Sequence, residues 1–256
     1  MKSTRLADLF YKWDINPFYL IALLVFIYPV SVFIFFFLLM QFSLYGSLIC
    51  TFLVLCTSFA VFYLYFHRNP HRDIQKNDSI IFSPADGKIV YVKKITNGEI
   101  IESVKQEKSI PLSELFDTDE IESCDGYIIG IEMRLFDVHI VRSPITGKKI
   151  FEHYISGKIV TMNHPRFEYI NERDTIIIQK EDGFQVAVVQ IATFLARTVK
   201  SFITKKDMVD QGEEIGIIRF GSQVDLVIFS KDVTILVKEH DRVYGGVSKI
   251  AEIPST

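Results

Sequence analysis

The chain has 256 residues, of which 49% are hydrophobic and 23% charged, and its formal net charge at pH 7 is -3. A chain of this length forms one or two domains, and its near-neutral charge lacks the excess of lysine and arginine that nucleic-acid binding requires, so no nucleic-acid partner is expected. Its cysteines, Cys50, Cys56 and Cys124, exclude a disulfide framework and a zinc motif by their spacing, and its histidines are scattered. No metal site is therefore expected.

Two apolar runs dominate the N-terminal quarter. No Asp, Glu, Lys or Arg lies between Asp14 and Arg68, and the runs 17–40 and 48–66 each reach the ~20 residues that a helix needs to cross the hydrocarbon of a membrane. A signal peptide has a single, shorter apolar core and fits less well. The sequence therefore predicts a hairpin of two membrane helices at 17–68, after a cytoplasmic segment at 1–16.

The cations that flank this pair predict its orientation. Lys2, Arg5 and Lys12 precede the pair, and Arg68 and Arg72 follow it. Because cytoplasmic loops carry an excess of Lys and Arg, both flanks are expected in the cytoplasm. This places the protein at the cell (inner) membrane, with the rest of the chain on the cytoplasmic face.

From residue 69 to 256 the pattern changes to short runs rich in Ile, Val and Phe, separated by polar turns. Such runs are typical of strands, and Glu181-Asp182-Gly183 is typical of a hairpin turn. A mainly β domain is predicted, with an exposed loop or short helix at 113–122. The predicted strands are 88–93, 127–135, 148–155, 175–179, 184–191, 198–203, 215–220, 224–229 and 233–237.

One spacing occurs twice in this domain. Asp207-x-Val209-x-x-Gly212 and Asp241-x-Val243-x-x-Gly246 share a pattern beside apolar runs. A repeat of this kind predicts two related β-hairpin units that fold against each other.

Three residue types that together activate a hydroxyl occur in this domain. Asp86 lies in the turn Ser83-Pro84-Ala85-Asp86-Gly87, His139 lies in the apolar segment 136–144, and Ser222 follows Gly221 between two β-type runs. Taken singly, each has a simpler interpretation as a turn carboxylate, a core histidine or a turn former. Together they are the Asp, His and Ser set of nucleophilic catalysis.

The motifs around these residues resemble those of phosphatidylserine decarboxylase proenzymes, especially the short prokaryotic form. In chain order they are SPADG at 83–87, FDVH followed by RSP at 136–144, NER at 171–173, QIA with a following AR at 190–197, and RFGS at 219–222. The resemblance runs from about residue 82 to residue 227.

The resemblance implies a self-processing enzyme with a β-rich sandwich or barrel-like catalytic domain. The hydroxyl of Ser222 would break the Gly221–Ser222 bond, and the serine would become a covalent pyruvoyl cofactor on a small chain, 222–256, that stays associated with the large chain, 1–221. His139 is implied as the base and Asp86 as the carboxylate that orients it. Gln223 departs from the pattern, because the short form usually carries Arg there.

The implied reaction converts phosphatidylserine to phosphatidylethanolamine and CO2, with a phospholipid substrate taken from the membrane. Asn171, Glu172 and Arg173 are expected to be structural, and the segment His164-Pro165-Arg166 is a candidate headgroup contact. A homo-oligomer stays open. Three alternatives also stay open: a decarboxylase of another serine-headgroup lipid such as archaetidylserine, a membrane-bound Ser-His-Asp peptidase with an intact chain, and a non-catalytic carrier-type β module.

Overall fold

The chain forms two compact units, Met1–His71 and Arg72–Thr256. The computed structural model describes residues 28, 30–32, 35, 44–103, 108–118, 124–134, 136–158, 160, 167–192, 199–203, 208–218 and 222–254.

The first unit contains the helix α1 (Leu44–Phe66), which carries no acidic residue in its first turn and no basic residue in its last. Several of its large apolar side chains are exposed, among them Phe52, Leu55 and Phe59. Among the residues that the structure describes, no helix combines the length and the hydropathy needed to cross a membrane. The predicted two-helix anchor is therefore not confirmed, and its first run, 17–40, lies mostly outside the described residues.

The second unit is mainly β, as predicted. All nine predicted strands are present, with shifted ends, and short strands that the sequence did not predict occur between them. Its elements are α2 (Leu112–Phe116), α3 (Phe167–Ile170), β1 (Ile80–Phe82), β2 (Gly87–Thr96), β3 (Glu99–Ser103), β4 (Lys108–Pro111), β5 (Gly126–Met133), β6 (Ile140–Arg142), β7 (Gly147–Ile155), β8 (Arg173–Gln179), β9 (Gln185–Ala192), β10 (Val199–Ser201), β11 (Met208–Val209), β12 (Glu214–Ile218), β13 (Ser222–Ile228), β14 (Thr234–Ile235), β15 (Arg242–Val243) and β16 (Lys249–Glu252).

Within the described residues the strands form one ten-stranded sheet and two three-stranded sheets. The large sheet has the order β11-β7-β8-β9-β13-β5-β2-β3-β4, with β15 paired to β2. The small sheets have the orders β1-β16-β14 and β10-β12-β6. The strand β13 therefore lies in the middle of the large sheet, hydrogen-bonded to β9 on one side and to β5 on the other.

Alternation along the central strands produces two hydrophobic cores. Val224, Leu226 and Ile228 face a core that also contains residues from both small sheets, such as Ile218 and Ile250. The opposite face of the large sheet forms a second core with Leu112, Leu115 and Phe116 of α2. Because successive side chains of a strand point to opposite faces, one strand can serve both cores.

The repeated spacing seen in the sequence corresponds to two matching turns. The amide of Gly246 donates to the carbonyl of Ser83, and the amide of Gly212 donates to the carbonyl of Ser143. Both glycines have positive φ, 74° and 80°, which glycine adopts at low cost. Val243 pairs with Gly87 and Val209 pairs with Gly147, so the two units are built alike.

A second repeat lies at the other side of these turns. The stretch Ser83-Pro84-x-x-Gly87-Lys88 recurs as Ser143-Pro144-x-x-Gly147-Lys148. In both copies the serine hydroxyl donates to the carbonyl two residues later, at 2.7 and 2.6 Å. Asp86 of the first copy corresponds to Thr146 of the second.

Candidate active site

Ser222 occupies the first position of β13. It is in register with Met133 of β5 and with Ala192 of β9. The preceding strand, β12, belongs to a small sheet and ends at Ile218. The chain therefore passes from a small sheet to the large sheet between Ile218 and Ser222, an interval of sequence that includes the candidate cleavage bond.

The turn that carries Asp86 reaches the same end of the large sheet. Lys88 of β2 pairs with Glu132 of β5, which puts Gly87 beside Met133, the register partner of Ser222. A Cβ at Gly87 would lie 2.3 Å from the carbonyl oxygen of Glu132, so this close approach requires glycine. Asp86 and Ser222 thus stand two strands apart, a distance of roughly 10 Å between main chains.

Asp86 is buried and makes two strong contacts. Its Oδ2 accepts a hydrogen bond from Arg72 Nη2 at 2.6 Å, and its Oδ1 accepts the amide N–H of Gly245 at 2.8 Å. In the second copy of the repeat, Thr146 Oγ1 accepts the amide of Gln211 in the matching place. The contact with Gly245 is thus part of the turn itself, and the role of Asp86 in orienting His139 stays a prediction.

Arg72 has a different environment from the one that the sequence analysis expected. It was counted among the cations flanking the membrane pair, but it is buried and its Nη1 also donates to the carbonyl of Gly245 at 2.8 Å. A buried guanidinium is favourable only when it is paired and hydrogen-bonded. Arg72 therefore links the Asp86 turn to Gly245, which lies shortly after β15.

His139 lies beside the end of β12. Its carbonyl accepts the amide N–H of Ile218 at 3.1 Å, three residues before Gly221, and its side chain is 1% exposed. The Nδ1 atom lies 2.9 Å from the carbonyl oxygen of Asp137. Because a carbonyl can only accept, Nδ1 carries the proton, and the neutral ring has its lone pair on Nε2. This is the tautomer that can take a proton through Nε2.

Asp137 fixes the loop that presents His139. Its side chain forms an ion pair with Arg242 of β15 and accepts the amide N–H of Arg134. The backbone of the FDVH motif is thereby tied to β15. These two contacts fix the loop, and with it the Asp137 carbonyl that sets the tautomer of His139. One contact comes from Arg134, before the candidate cleavage site in sequence, and the other from Arg242, after it.

The NER motif is structural, in agreement with the expectation from the sequence. The amide of Asn171 donates to the carbonyls of Val160 and Ala192. Glu172 accepts hydrogen bonds from the hydroxyl of Tyr154 and the amide of Val199. The guanidinium of Arg173 caps carbonyls of α2 and of the segment before β8, at Leu115, Glu114, Tyr169 and Asn171.

The segment 164–166, the candidate headgroup contact, lies outside the described residues.

Two buried polar residues near Ser222 escaped the sequence analysis. Asp174 directly follows the NER motif, and Gln190 opens the QIA motif, and each was passed over because its neighbours carried the resemblance. An ionisable or amide residue inside an otherwise β-branched strand was the available signal.

Gln223 belongs to a buried polar cluster on the other face of β13. Its Nε2 donates to Tyr91 Oη at 2.9 Å and to Asp225 Oδ1 at 2.7 Å. The ring of Tyr91 lies over Gly130, where a Cβ would be 2.5 Å from its Cζ. Gln223 stands where the family that the chain resembles usually carries Arg, and it provides a neutral donor to the buried carboxyl group of Asp225.

Burial, and then the negative charge of Glu168, raise the pKa of Asp225 to about 7, against the opposing effect of the hydrogen bonds from Tyr91 and Gln223. An unfolded aspartate titrates near pH ~4. Between that pH and about 7 the folded protein binds more protons than the unfolded chain, so stability falls as pH rises through this window.

We expect Asp225→Asn to remove this loss, since the amide keeps an acceptor for Gln223 and cannot ionise. The variant should melt above the wild type at about pH 8 and level with it only below about pH 4, with a gain at the higher pH of about 1.4 kcal/mol per unit of pKa elevation. Thermal scans at one heating rate measure this. Asp232→Asn, at an exposed carboxylate, is the control, and an equal offset from wild type at both pH values would contradict the prediction.

A family model described as phosphatidylserine decarboxylase matches residues 59–251. A phosphatidylserine decarboxylase proenzyme of Amoebophilus asiaticus is 38% identical over 200 residues, which cover 78% of this chain and 79% of the relative. A putative archaetidylserine decarboxylase proenzyme of Methanocaldococcus jannaschii is 37% identical over 202 residues, 78% of this chain and 94% of the relative.

A third relative, a phosphatidylserine decarboxylase proenzyme of Carboxydothermus hydrogenoformans, is 33% identical over 193 residues, 75% of this chain and 80% of the relative. The matched region contains the Asp86 turn, the His139 loop, the NER motif and the junction between β12 and β13. The chain therefore belongs to the phosphatidylserine decarboxylase family of enzymes.

Proposed function

We propose that this protein cleaves itself between Gly221 and Ser222, converts Ser222 to a pyruvoyl group, and decarboxylates phosphatidylserine to phosphatidylethanolamine. The observation that carries the proposal is the place of this bond, between β12 of a small sheet and β13 of the large sheet, with the carbonyl of His139 bonded to Ile218 at the end of β12. The names of the relatives that match over three quarters of the chain support it.

The proposed cleavage needs a base for the hydroxyl of Ser222, because serine is a weak nucleophile by itself. His139, whose Nδ1 proton is donated to Asp137, offers Nε2 as that base. The oxygen would attack the Gly221 carbonyl carbon, the amide would become an ester, and loss of the Ser222 α-proton would expel the new carboxylate. Hydration and loss of ammonia would leave the ketone.

The residues around position 222 fit a small group of this kind. Its register partner on β9 is Ala192, which leaves room beside the strand. When formed, the pyruvoyl carbonyl supplies an electrophile for the substrate amine and an electron sink for loss of CO2. The apolar cluster of Val138, Ile140 and Ile217 beside His139 favours departure of a neutral molecule over retention of a carboxylate.

The register of the small chain, 222–256, supports its association with the large chain after cleavage. β13 is paired along its length with β5 and β9, β15 is paired with β2, and β16 is paired with β1. The ion pair of Arg242 with Asp137 adds a polar link between the two chains. Scission at 221–222 would remove a covalent bond and leave these ladders in place.

We also propose attachment to the cytoplasmic face of the cell membrane through the N-terminal unit. The exposed apolar side chains of α1 and the absence of charged residues between Asp14 and Arg68 support this proposal. A substrate that stays in a bilayer requires an enzyme that reaches the headgroup layer. The relative of Methanocaldococcus jannaschii favours a second candidate substrate, archaetidylserine, which has the same headgroup.

Intact mass spectrometry of the purified active protein tests the proposed function. We expect two fragments that correspond to 1–221 and 222–256, the smaller with an N-terminus that resists Edman degradation. Borohydride added with substrate should abolish activity and add the reduced substrate to the small fragment. Decarboxylase activity from an uncut chain would refute self-processing, and an uncut chain that instead hydrolyses peptides would favour the peptidase alternative.

A further inference from the structure

A pocket of about 550 Å³ opens between the large sheet and the small sheet that contains β10. It is lined by Glu152 and Tyr154 of β7, by the buried Asp174 of β8, and by Val199, Lys200 and Ser201 of β10. The sequence motifs assign no role to this pocket.

The register places the pocket next to the candidate cleavage site. Ser222 pairs with Ala192, and the amide of Ala192 donates to the carbonyl of Glu172, so the three form one row across β13, β9 and the start of β8. Asp174 lies two residues further along. This separates it from Ser222 by roughly 10 Å across the sheet and roughly 7 Å along it.

Asp174 lies on the sheet face to which Ala192 and Ile176 also contribute, since residues two apart on a strand share a face. The side chain is 2% exposed. Neither of its carboxyl oxygens has a hydrogen-bond partner among the described residues, and the same holds for the amide of Gln190, its direct register partner. A buried polar group without a partner costs free energy unless a ligand or water satisfies it.

We propose that this pocket binds a phosphodiester, to which Asp174 donates its carboxyl proton while Lys200 supplies positive charge. The inference rests on the proposed function, because a phosphodiester joins the serine to the lipid. In a headgroup whose amine is held at residue 222, the phosphorus lies five bonds from the ketone carbon. Its oxygens then come within reach of a side chain at the position of Asp174.

The charges around Asp174 favour its neutral form. Burial, and then the charge of Glu152, raise the pKa of Asp174 to about 7, while Lys149 opposes the shift. Lys149 is itself bonded to Glu152 at 2.5 Å. Glu172 is held by Tyr154 and Val199 on the same side. A neutral carboxyl donates to a phosphate oxygen, whereas an ionised one repels it.

Lys200 has the character of a rim contact. It lies on β10 opposite Ile217, its side chain is exposed, and it borders the pocket that holds Asp174. A lysine at this place attracts a phosphate through its positive charge. The side-chain amide of Gln190, the register partner of Asp174, lies deeper in the core beneath Gly216 of β12 and does not line the pocket.

The test uses the processed enzyme with phosphatidylserine in mixed micelles. The KM of the wild type should rise about tenfold between about pH 6 and about pH 8, as Asp174 ionises, with a smaller change in kcat. Asp174→Asn keeps an N–H donor and cannot ionise, so its KM should be low and independent of pH. Asp174→Ala should raise KM about tenfold at the lower pH.

Binding measured without turnover separates the possible sources of the phosphate. Glycerophosphoethanolamine, which is the product diester without tails and has no carboxyl group to lose, should raise the melting temperature of the wild type and of Asp174→Asn, but not of Asp174→Ala. Inorganic phosphate alone should have a weaker effect. Stabilisation by inorganic phosphate equal to that by the diester would replace the lipid headgroup with free phosphate as the ligand.

If the Asp174 variants fail to process into two fragments, so that their KM cannot be measured, Lys200→Met tests the phosphodiester site instead. It should process normally and raise KM about tenfold, while Lys238→Met, at another exposed lysine, should change nothing. Normal KM in Lys200→Met, or a pH dependence in Asp174→Asn equal to that of the wild type, would overturn the proposal. Failure of the proposed function would show as loss of self-processing or of kcat in the wild type, whereas failure of this inference would show only in KM.

Discussion

Ser222→Ala is expected to yield a single chain of full length without decarboxylase activity. Without the hydroxyl there is no nucleophile for the Gly221 carbonyl and no precursor for a ketone, so the loss should reach the detection limit. The backbone position of residue 222, paired with Met133 and Ala192, accepts alanine as readily as serine. The fold should therefore persist.

Two companion variants sharpen this experiment. Ser230→Ala changes a serine in the same C-terminal segment, after β13, and should be cut and active as the wild type is. Ser222→Cys keeps a nucleophile and should be cut, because a thiolate attacks a carbonyl as well. Intact mass and CO2 release measure all three, and two fragments from Ser222→Ala would end the assignment of Ser222.

Substitution of His139 by Ala is expected to slow self-cleavage by about 10²–10⁴-fold, the usual contribution of a positioned general base. The protein should then accumulate as the uncut chain. Added imidazole should restore part of the cleavage, because removal of a buried ring leaves a space that imidazole can enter. Rescue separates proton transfer from a merely structural role, and cleavage at the wild-type rate without imidazole would remove His139 from the site.

Asp86→Asn is the matched test of the carboxylate. It keeps an acceptor for Gly245 but deprives Arg72 of its buried charge partner, so a defect could arise from the turn or from His139. Arg72→Met breaks the same ion pair and leaves the carboxylate. If Asp86 orients His139, Asp86→Asn should slow cleavage far more than Arg72→Met does. Equal defects would assign Asp86 to the turn alone.

The strands of the core could be predicted because their signal is local. β9 and β13 are rich in Val, Ile, Leu and Ala, and polar residues such as Gln190 and Asp225 interrupt this composition without removing the strand signal. The short strands β1 and β16 escaped prediction, since each holds too few residues to show a period. They form because Ile81 and Ala251, which are register partners in one small sheet, are both buried in the first core.

The sequence named the members of the candidate site, whose roles stay predictions, but it could not give their contacts. The Asp86 turn, the His139 loop and Ser222 were found from ordered motifs, but the pairing of Asp86 with Arg72 depends on a buried environment that no local pattern reveals. The second SPxxGK copy was visible in the sequence and was missed, because only its partner turn with Gly212 was compared. The pocket at Asp174 arises where β10 of a small sheet approaches β7 and β8 of the large sheet, and spacing along the sequence does not specify this approach.

The position of β13 between β5 and β9 has a consequence for refolding after cleavage. Once denaturant has released the fragment 222–256, β13 must pair again with both strands, and no covalent link to the rest of the chain keeps the fragment nearby. Refolding of the mature two-chain form should thus fail under conditions in which the uncut Ser222→Ala chain recovers. If the chain cuts itself as proposed, folding before the cut is reversible and folding after it is not.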